Sequence, residues 1–236
     1  MGRGWTRWIG AALAVAALVT MLAALYAIFF VAPLEMTMGI AQKIFYIHVG
    51  SAMNMLLAFG VCALAGATFL AVRAPRARAM ADAIGVATAE VGVTLGAIVL
   101  VTGPLWARKA WGTWWTWEPR LTLSLMVFLL FLAYLALRAF AGSDRFGRGV
   151  AAGLSIMGIP AIYFIHFAVE RWGGAHPQVV YKGGLTVPGM KLAFWLSVLA
   201  VSLVTAALAY QRAVIETQRQ AIDALFLELD RREGLP

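Results

Sequence analysis

The sequence is poor in charge and nearly devoid of cysteine. Of its 236 residues, 13% are charged and 62% are hydrophobic, and the mean hydropathy is +0.83. A soluble domain carries about 25% charged residues, so this chain has too little polar surface to cover a water-soluble globule. Its one cysteine, Cys62, can close no internal disulfide. A soluble enzyme and a cytosolic binding domain are therefore excluded.

Several catalytic motifs are missing as well. The sequence contains no GxxxxGK[ST] phosphate-binding loop, no HExxH, no paired-cysteine metal motif and no nucleophile elbow. We therefore predict that the chain is not an enzyme and hydrolyses no ATP by a phosphate-binding loop. Any energy-driven step in which it takes part would draw its energy from another protein.

Long apolar stretches dominate what is present. A helix needs about 20 mostly apolar residues to cross a hydrocarbon core of roughly 30 Å. Alternating segments of about ten residues, which mark a spanning β-barrel, are absent. The sequence thus predicts an all-α integral membrane protein with six transmembrane helices. The predicted spans are Ile9–Ala32, Ile44–Val72, Ala83–Trp106, Leu121–Leu137, Gly149–Val169 and Leu192–Tyr210.

The net charge of +8 is explained by membrane topology rather than by binding to nucleic acid. Twelve of the nineteen Lys and Arg residues lie at one set of helix ends and seven at the other. Basic residues collect in cytoplasmic loops, so both termini are predicted to be cytoplasmic, with outer loops near residues 33–43, 107–120 and 170–191. We divide the chain into a six-helix membrane domain, 1–211, and a cytoplasmic amphipathic tail, 212–236.

Four of the nine tryptophans fall within seven residues of the second outer loop, inside a tryptophan-rich segment over 107–122. Anchoring at the membrane interface is the ordinary role of such residues, but two anchors would suffice at a helix end. We therefore favour a binding platform for a flat, apolar, aromatic ligand near the membrane surface. If the segment were helical, one face would carry the residues at spacings of three, four and seven, namely Trp111, Trp114, Trp115 and Glu118.

The sequence has three histidines, and two of them belong to the side that carries the tryptophans. His48 lies near the outer end of the second predicted helix, and His176 lies in the third outer loop. Two neutral imidazoles can ligate haem iron from opposite faces, and the absence of CxxCH excludes covalent attachment of haem to this chain. A bis-histidine haem site is one interpretation and hydrogen-bonded packing is the other. Packing is favoured for His166, with a substitute ligand role as its alternative.

The stretch from Trp111 to Thr122 resembles the motif W-G-x-W-W-x-W-D-x-R-L-T of the haem-handling membrane proteins of cytochrome c biogenesis. The six-helix length and the settings of His48 and His176 extend the resemblance over most of the chain. Within that group the sequence most closely resembles the C subunit of the cytochrome c maturation complex, the haem exporter protein C family. One position departs from the motif, because Glu118 replaces the usual Asp and keeps the carboxylate with one extra methylene.

The resemblance implies a site and a role. Haem b would be held non-covalently between axial ligands His48 and His176, at the periplasmic face of the bacterial cytoplasmic (inner) membrane. Arg120, close to the motif carboxylate of Glu118, would meet a haem propionate or, as the alternative, anchor the end of its helix. The platform residues matching the motif are Trp111, Gly112, Trp114, Trp115 and Trp117.

The resemblance also implies partners. Haem would be presented to a periplasmic haem chaperone, to which it becomes covalently attached. The other partners would be the ABC-transporter ATPase and membrane subunits of the same complex and a small accessory membrane subunit. Apart from these proteins and haem, the lipid bilayer is the expected surrounding, and no nucleic acid is expected.

Glu90 is the one formal charge inside the six predicted spans. Ionising an acid in hydrocarbon is costly, so we expect a structural hydrogen bond to a neighbouring helix, with no other acid or base at the same depth. Two other functions stay open: a proton- or substrate-coupled transporter centred on Glu90, and a membrane b-type electron-transfer cytochrome. The lack of internal repeats counts against the first, and histidines at an open outer rim count against the second.

Overall fold

The computed structural model describes residues 3–36, 38–141, 144–174, 176 and 184–233, and its regular secondary structure in those ranges is helical. Six of the helices are long and apolar enough to cross a membrane. The predicted six-helix membrane fold is therefore confirmed. The helices are α1 Arg3–Tyr26, α2 Ile44–Ala71, α3 Pro75–Trp111, α4 Pro119–Ala141, α5 Arg145–Trp172 and α6 Pro188–Glu233.

Two helices extend well past the predicted spans. α3 begins at Pro75, where the fixed φ of proline and its missing N–H suit the first helical turn. α6 continues without a break from Pro188 to Glu233, so the division predicted after residue 211 falls within a helix. The predicted tail is thus a direct continuation of a membrane helix.

α2 is the central helix of the bundle. It packs against α3, α5 and α6, while α1 packs on α6 and α4 on α5. At the centre, the rings of Phe59 and Phe131 stack with centroids 3.9 Å apart, and both side chains are fully buried. Gly92 on α3 makes room for this stack, because a Cβ there would lie 2.5 Å from the Phe59 ring.

A buried lysine joins the end of α1 to the start of α2. After Tyr26 the chain continues as a π-helical turn over Ala27–Val31. The ammonium group of Lys43 donates hydrogen bonds to the carbonyl oxygens of Ile28 and Ala32. Terminal carbonyls of a helix lack intrahelical partners, so this lysine satisfies them and fixes the connection between the two helices. That end of the bundle is called the pocket end below.

The opposite end, where α1 begins and α6 ends, contains a network of charged side chains from four helices. Asp82 Oδ2 on α3 accepts hydrogen bonds from Arg138 Nη2 on α4, Arg148 Nη1 on α5 and Gln220 Nε2 on α6, each at 2.9 Å. The side chains of Asp82 and Arg138 are buried. We call this group the ionic cluster, and its charged members are Asp82, Glu90, Arg138, Arg148, Arg212 and Glu216.

Glu90 belongs to this cluster through Arg212. The guanidinium donates from Nε to Glu90 Oε2 at 2.6 Å and from Nη2 to Oε1 at 2.8 Å, and from Nη1 to Glu216 at 3.0 Å. The expected structural hydrogen bond to a neighbouring helix is therefore present. The expectation that no base shares the depth of Glu90 is wrong, because α6 continues past Tyr210 and carries Arg212 to the carboxylate.

Candidate functional site

A cavity of about 330 Å³ lies at the pocket end, between α2, α3, α4 and the connections around them. Its volume falls in the range typical of small-molecule sites. The wall is mostly apolar, with polar groups from several separate parts of the chain. The sequence-predicted residues that line it are His48, Trp111, Trp114, Trp115, Arg120 and His176.

His48 reaches the cavity from α2 and is held by α3. Its Nδ1 atom lies 2.9 Å from the hydroxyl oxygen of Thr102. The next residue, Gly103, lets the ring approach the helix backbone, because a Cβ there would lie only 3.2 Å from His48 Cε1. Packing between α2 and α3 therefore sets the orientation of this imidazole.

His176 reaches the same cavity from the connection between α5 and α6. Its ring lies edge-on to Trp111, with centroids 6.4 Å apart. Burial lowers the pKa of His176 to about 3, and the charges of Arg120 and His48 act in the same direction. The imidazole is therefore neutral at physiological pH, which is the form that ligates metals.

The tryptophan-rich segment is not a helix. α3 ends at Trp111 because Gly112 takes a left-handed conformation, with φ 75°, and α4 begins only at Pro119. The helical arrangement considered for Trp111, Trp115 and Glu118 is therefore not adopted. An irregular connection instead folds the indoles against the mouth of the cavity.

The five predicted platform residues divide into two groups. Trp111, Trp114 and Trp115 line the cavity. Trp117 is 76% exposed and packs edge-on against Trp115 with centroids 5.9 Å apart, while Gly112 shapes the turn. Three of the predicted platform indoles thus contact the cavity, and Trp117 packs against them from outside. Trp106, which was not predicted, is a fourth indole in the cavity wall and lies edge-on to Trp111 with centroids 5.2 Å apart.

The two charged residues of the motif also differ in position. Arg120, in the first turn of α4, lines the cavity. Glu118 lies against Gly174, two residues before His176, where a Cβ would be 2.8 Å from Glu118 Oε2. The motif carboxylate therefore lies beside the loop that carries His176. Of the two charged motif residues, Arg120 is the one that lines the cavity.

His166 and Glu90 lie apart from this site. The ring of His166 packs edge-on against Phe167 with centroids 4.9 Å apart, and among the described residues of α5 it is Ile165 that lines the cavity. Glu90 belongs to the ionic cluster. The packing interpretation of His166 stays a prediction.

Sequence analysis missed Thr102 and Gly103, which hold His48, and Gln42, which lines the cavity and donates from Nε2 to the hydroxyl of Tyr46 at 3.1 Å. One signal was available for the first two. A Thr-Gly-Pro sequence, ending in Pro104, stands inside an apolar membrane helix, and proline in a transmembrane helix frees backbone groups that neighbouring helices or Ser and Thr side chains satisfy.

Comparison with known proteins gives a consistent picture. A family model described as Heme exporter protein C matches residues 3–227. Heme exporter protein C of Bradyrhizobium diazoefficiens is 34% identical over 186 residues, which are 75% of this chain and 69% of that protein. Heme exporter protein C of Escherichia coli K12 is 30% identical over 211 residues, 85% of this chain and 82% of that protein. The chain belongs to the Heme exporter protein C family.

Proposed function

We propose that this chain binds haem b in the cavity at the pocket end and delivers it during cytochrome c maturation. Membership of the family supports haem handling by a membrane subunit that is not itself an enzyme. One structural observation supports the location of the site: histidines from two distant parts of the chain line one cavity together with four tryptophans.

The side chains in the cavity suit haem chemically. Haem iron takes two axial ligands, and His48 and His176 are the imidazoles that line the cavity. Buried polar atoms in proteins nearly always find hydrogen-bond partners, yet His176 Nδ1 and Trp115 Nε1 are buried without one among the described residues. These atoms are therefore available to a bound ligand. Arg120 would meet a propionate through a charge-assisted hydrogen bond.

Delivery requires that the bound haem be reachable from outside. Trp114 and Trp117 are more than half exposed at this end of the molecule, so a receiving protein would meet the aromatic rim. In the proposed arrangement the rim faces the periplasm, both termini are cytoplasmic, and a periplasmic haem chaperone is the acceptor. The excess of basic residues near the termini supports this orientation. The ATPase and membrane subunits and a small accessory subunit of the same complex would complete the assembly.

Absorption spectra of the purified full chain, oxidised and reduced, test the ligand assignment. We expect a low-spin bis-histidine spectrum in the wild type, which His48→Ala and His176→Ala convert to high-spin or abolish. His166→Ala is the matched control and should leave the spectrum unchanged. If both ligand variants bind added haem with a wild-type spectrum, the assignment is wrong. Transfer of haem to a chaperone then separates a delivery protein from an electron-transfer cytochrome, which would retain its haem.

A further inference from the structure

We infer that Thr102 is a positioning residue of the haem site. Its hydroxyl group fixes His48 in the tautomer that carries its proton on Nδ1, and so leaves Nε2 as the lone-pair donor for the cavity. This inference rests on the proposed function, because Nε2 of His48 matters only if His48 is a ligand. The inference follows from the two hydrogen bonds of the Thr102 hydroxyl group, which has one hydrogen atom to donate.

The hydroxyl group of Thr102 has a single hydrogen atom, and that atom is already used. Thr102 Oγ1 donates to the carbonyl oxygen of Ile98, at 2.6 Å, one turn earlier in α3. The same oxygen lies 2.9 Å from His48 Nδ1. With its hydrogen committed to Ile98, the hydroxyl oxygen can only accept at the second contact. His48 Nδ1 must therefore carry a proton and donate it.

The tautomer decides which ring nitrogen can bind a metal. A neutral imidazole protonated on Nδ1 has its lone pair on Nε2. A hydrogen bond from the non-ligating nitrogen orients a metal-binding histidine and raises its basicity. The contact with Thr102 supplies such a bond before any ligand arrives, and the close approach of Gly103 to Cε1 restricts the ring from the neighbouring position.

The two histidines are consequently unequal. His48 is oriented by Thr102 and Gly103 of α3, whereas His176 Nδ1 forms no hydrogen bond among the described residues. His48 is therefore the preorganised ligand of the pair, and His176 is the one that adapts. Removing the hydroxyl of Thr102 should affect His48 alone.

Nitrogen NMR of the haem-free protein tests the tautomer directly. The full chain is labelled with ¹⁵N-histidine in detergent at neutral pH, and His48→Ala assigns the signal of His48 among the three histidines. We expect the Nδ1-protonated tautomer in the wild type, its loss in Thr102→Val, and its recovery in Thr102→Ser. Thr94→Val is the matched control, because Thr94 makes the same bond one turn back on α3, to the Glu90 carbonyl oxygen at 2.9 Å.

Haem binding tests the consequence. Loss of such a partner typically lowers metal affinity 10–100-fold, so we expect about a tenfold weaker haem affinity in Thr102→Val. A less basic imidazole stabilises ferric iron less, and the reduction potential of the bound haem should move to more positive values. Thr102→Ser should restore both quantities, and Thr94→Val should change neither.

Two results would overturn the inference. If His48 in the wild type carries its proton on Nε2, the hydroxyl does not fix the tautomer, even if haem binds normally. If Thr102→Val and Thr94→Val lower affinity equally, the effect comes from the helix and Thr102 has no positioning role. By contrast, an Nδ1-protonated His48 whose removal leaves haem binding intact supports the hydrogen bond and refutes the proposed ligand, so the two failures are distinguishable.

Discussion

Gly103 shows how closely α2 and α3 approach at the cavity. A Cβ at this position would lie 3.2 Å from Cε1 of His48, so the imidazole must shift by a few tenths of an ångström to admit a methyl group. We expect Gly103→Ala to weaken haem binding and to raise the high-spin fraction in the absorption spectrum. An unchanged spectrum would mean that the position of the ring is not restricted from this side.

Gly60 provides the control for that substitution. It lies inside α2, and a Cβ there would meet nothing within 4 Å. Gly60→Ala should leave the spectrum unchanged and stabilise the helix by about 0.5–1 kcal/mol, since alanine loses less conformational entropy than glycine on folding.

Gly112 is needed for its backbone conformation rather than for space. Its φ of 75° lies in the left-handed region, and a Cβ there would meet nothing within 4 Å. Gly112→Ala should therefore cost about 1–2 kcal/mol and loosen the tryptophan-rich segment, which thermal unfolding and haem titration would measure. Gly112→Asn should cost less, because asparagine tolerates this conformation. If the two variants behave alike, the left-handed turn is not what the position requires.

At the residue scale, the sequence predicted the side chains with distinctive chemistry and missed those that place them. His48 and His176 stand out because the sequence has three histidines, and the indoles stand out because four of the nine tryptophans fall within seven residues. Thr102 does not stand out, since a threonine in a membrane helix ordinarily bonds its own backbone. Its second role depends on the rotation of α3 against α2, which no pattern within one helix determines.

At the scale of helices, the predicted spans were accurate in their apolar middles, and those of α3 and α6 were short at their ends. The ends were missed because charged residues indicate exposure to water in a sequence. In the structure Asp82 and Glu216 are buried and each contacts the buried Arg138, so α3 and α6 continue past the ends of their predicted spans. Charge pairing between helices distant in sequence cannot be seen in either helix alone.

The pair between Glu90 on α3 and Arg212 on α6 separates haem delivery from coupled transport. The side chains are 37% and 24% exposed, and partly exposed pairs typically contribute less than about 1 kcal/mol. Arg212 also keeps Glu216 as a partner. We therefore expect Glu90→Gln to lower stability slightly and to leave the haem spectrum unchanged, as thermal unfolding and absorption spectra would show. A transport activity abolished by this substitution would favour the rival function.

At the scale of the whole molecule, Asp82 joins four helices. Removing one partner from a buried ionic group leaves uncompensated charge and costs about 3–5 kcal/mol. We expect Asp82→Asn to lower the free energy of unfolding by about that amount, because Arg138 and Arg148 lose their shared carboxylate. Denaturant unfolding of the detergent-solubilised chain would measure the change.

Glu228 offers the matched comparison. Its pair with Arg232 spans one turn of α6 at 3.0 Å, and the two side chains are 50% and 72% exposed. Glu228→Gln should cost less than about 0.5 kcal/mol. Equal losses in the two variants would mean that the ionic cluster does not join the helices of the bundle.

α6 is one continuous helix, so a small tilt near its first turn produces a large displacement at its far end. At 1.5 Å per residue its 46 residues extend about 69 Å. Its first turn lies against the π-helical turn that follows α1, where a Cβ on Gly189 would lie 2.7 Å from the carbonyl oxygen of Val31, so we take this close contact as the fixed point of a tilt. A tilt of about 5° around it would swing the far end by roughly 6 Å, while Met190, beside the cavity, would barely move. A sideways pull on the far end would therefore strain the salt bridges of Arg212 and Glu216 well before it disturbed the cavity.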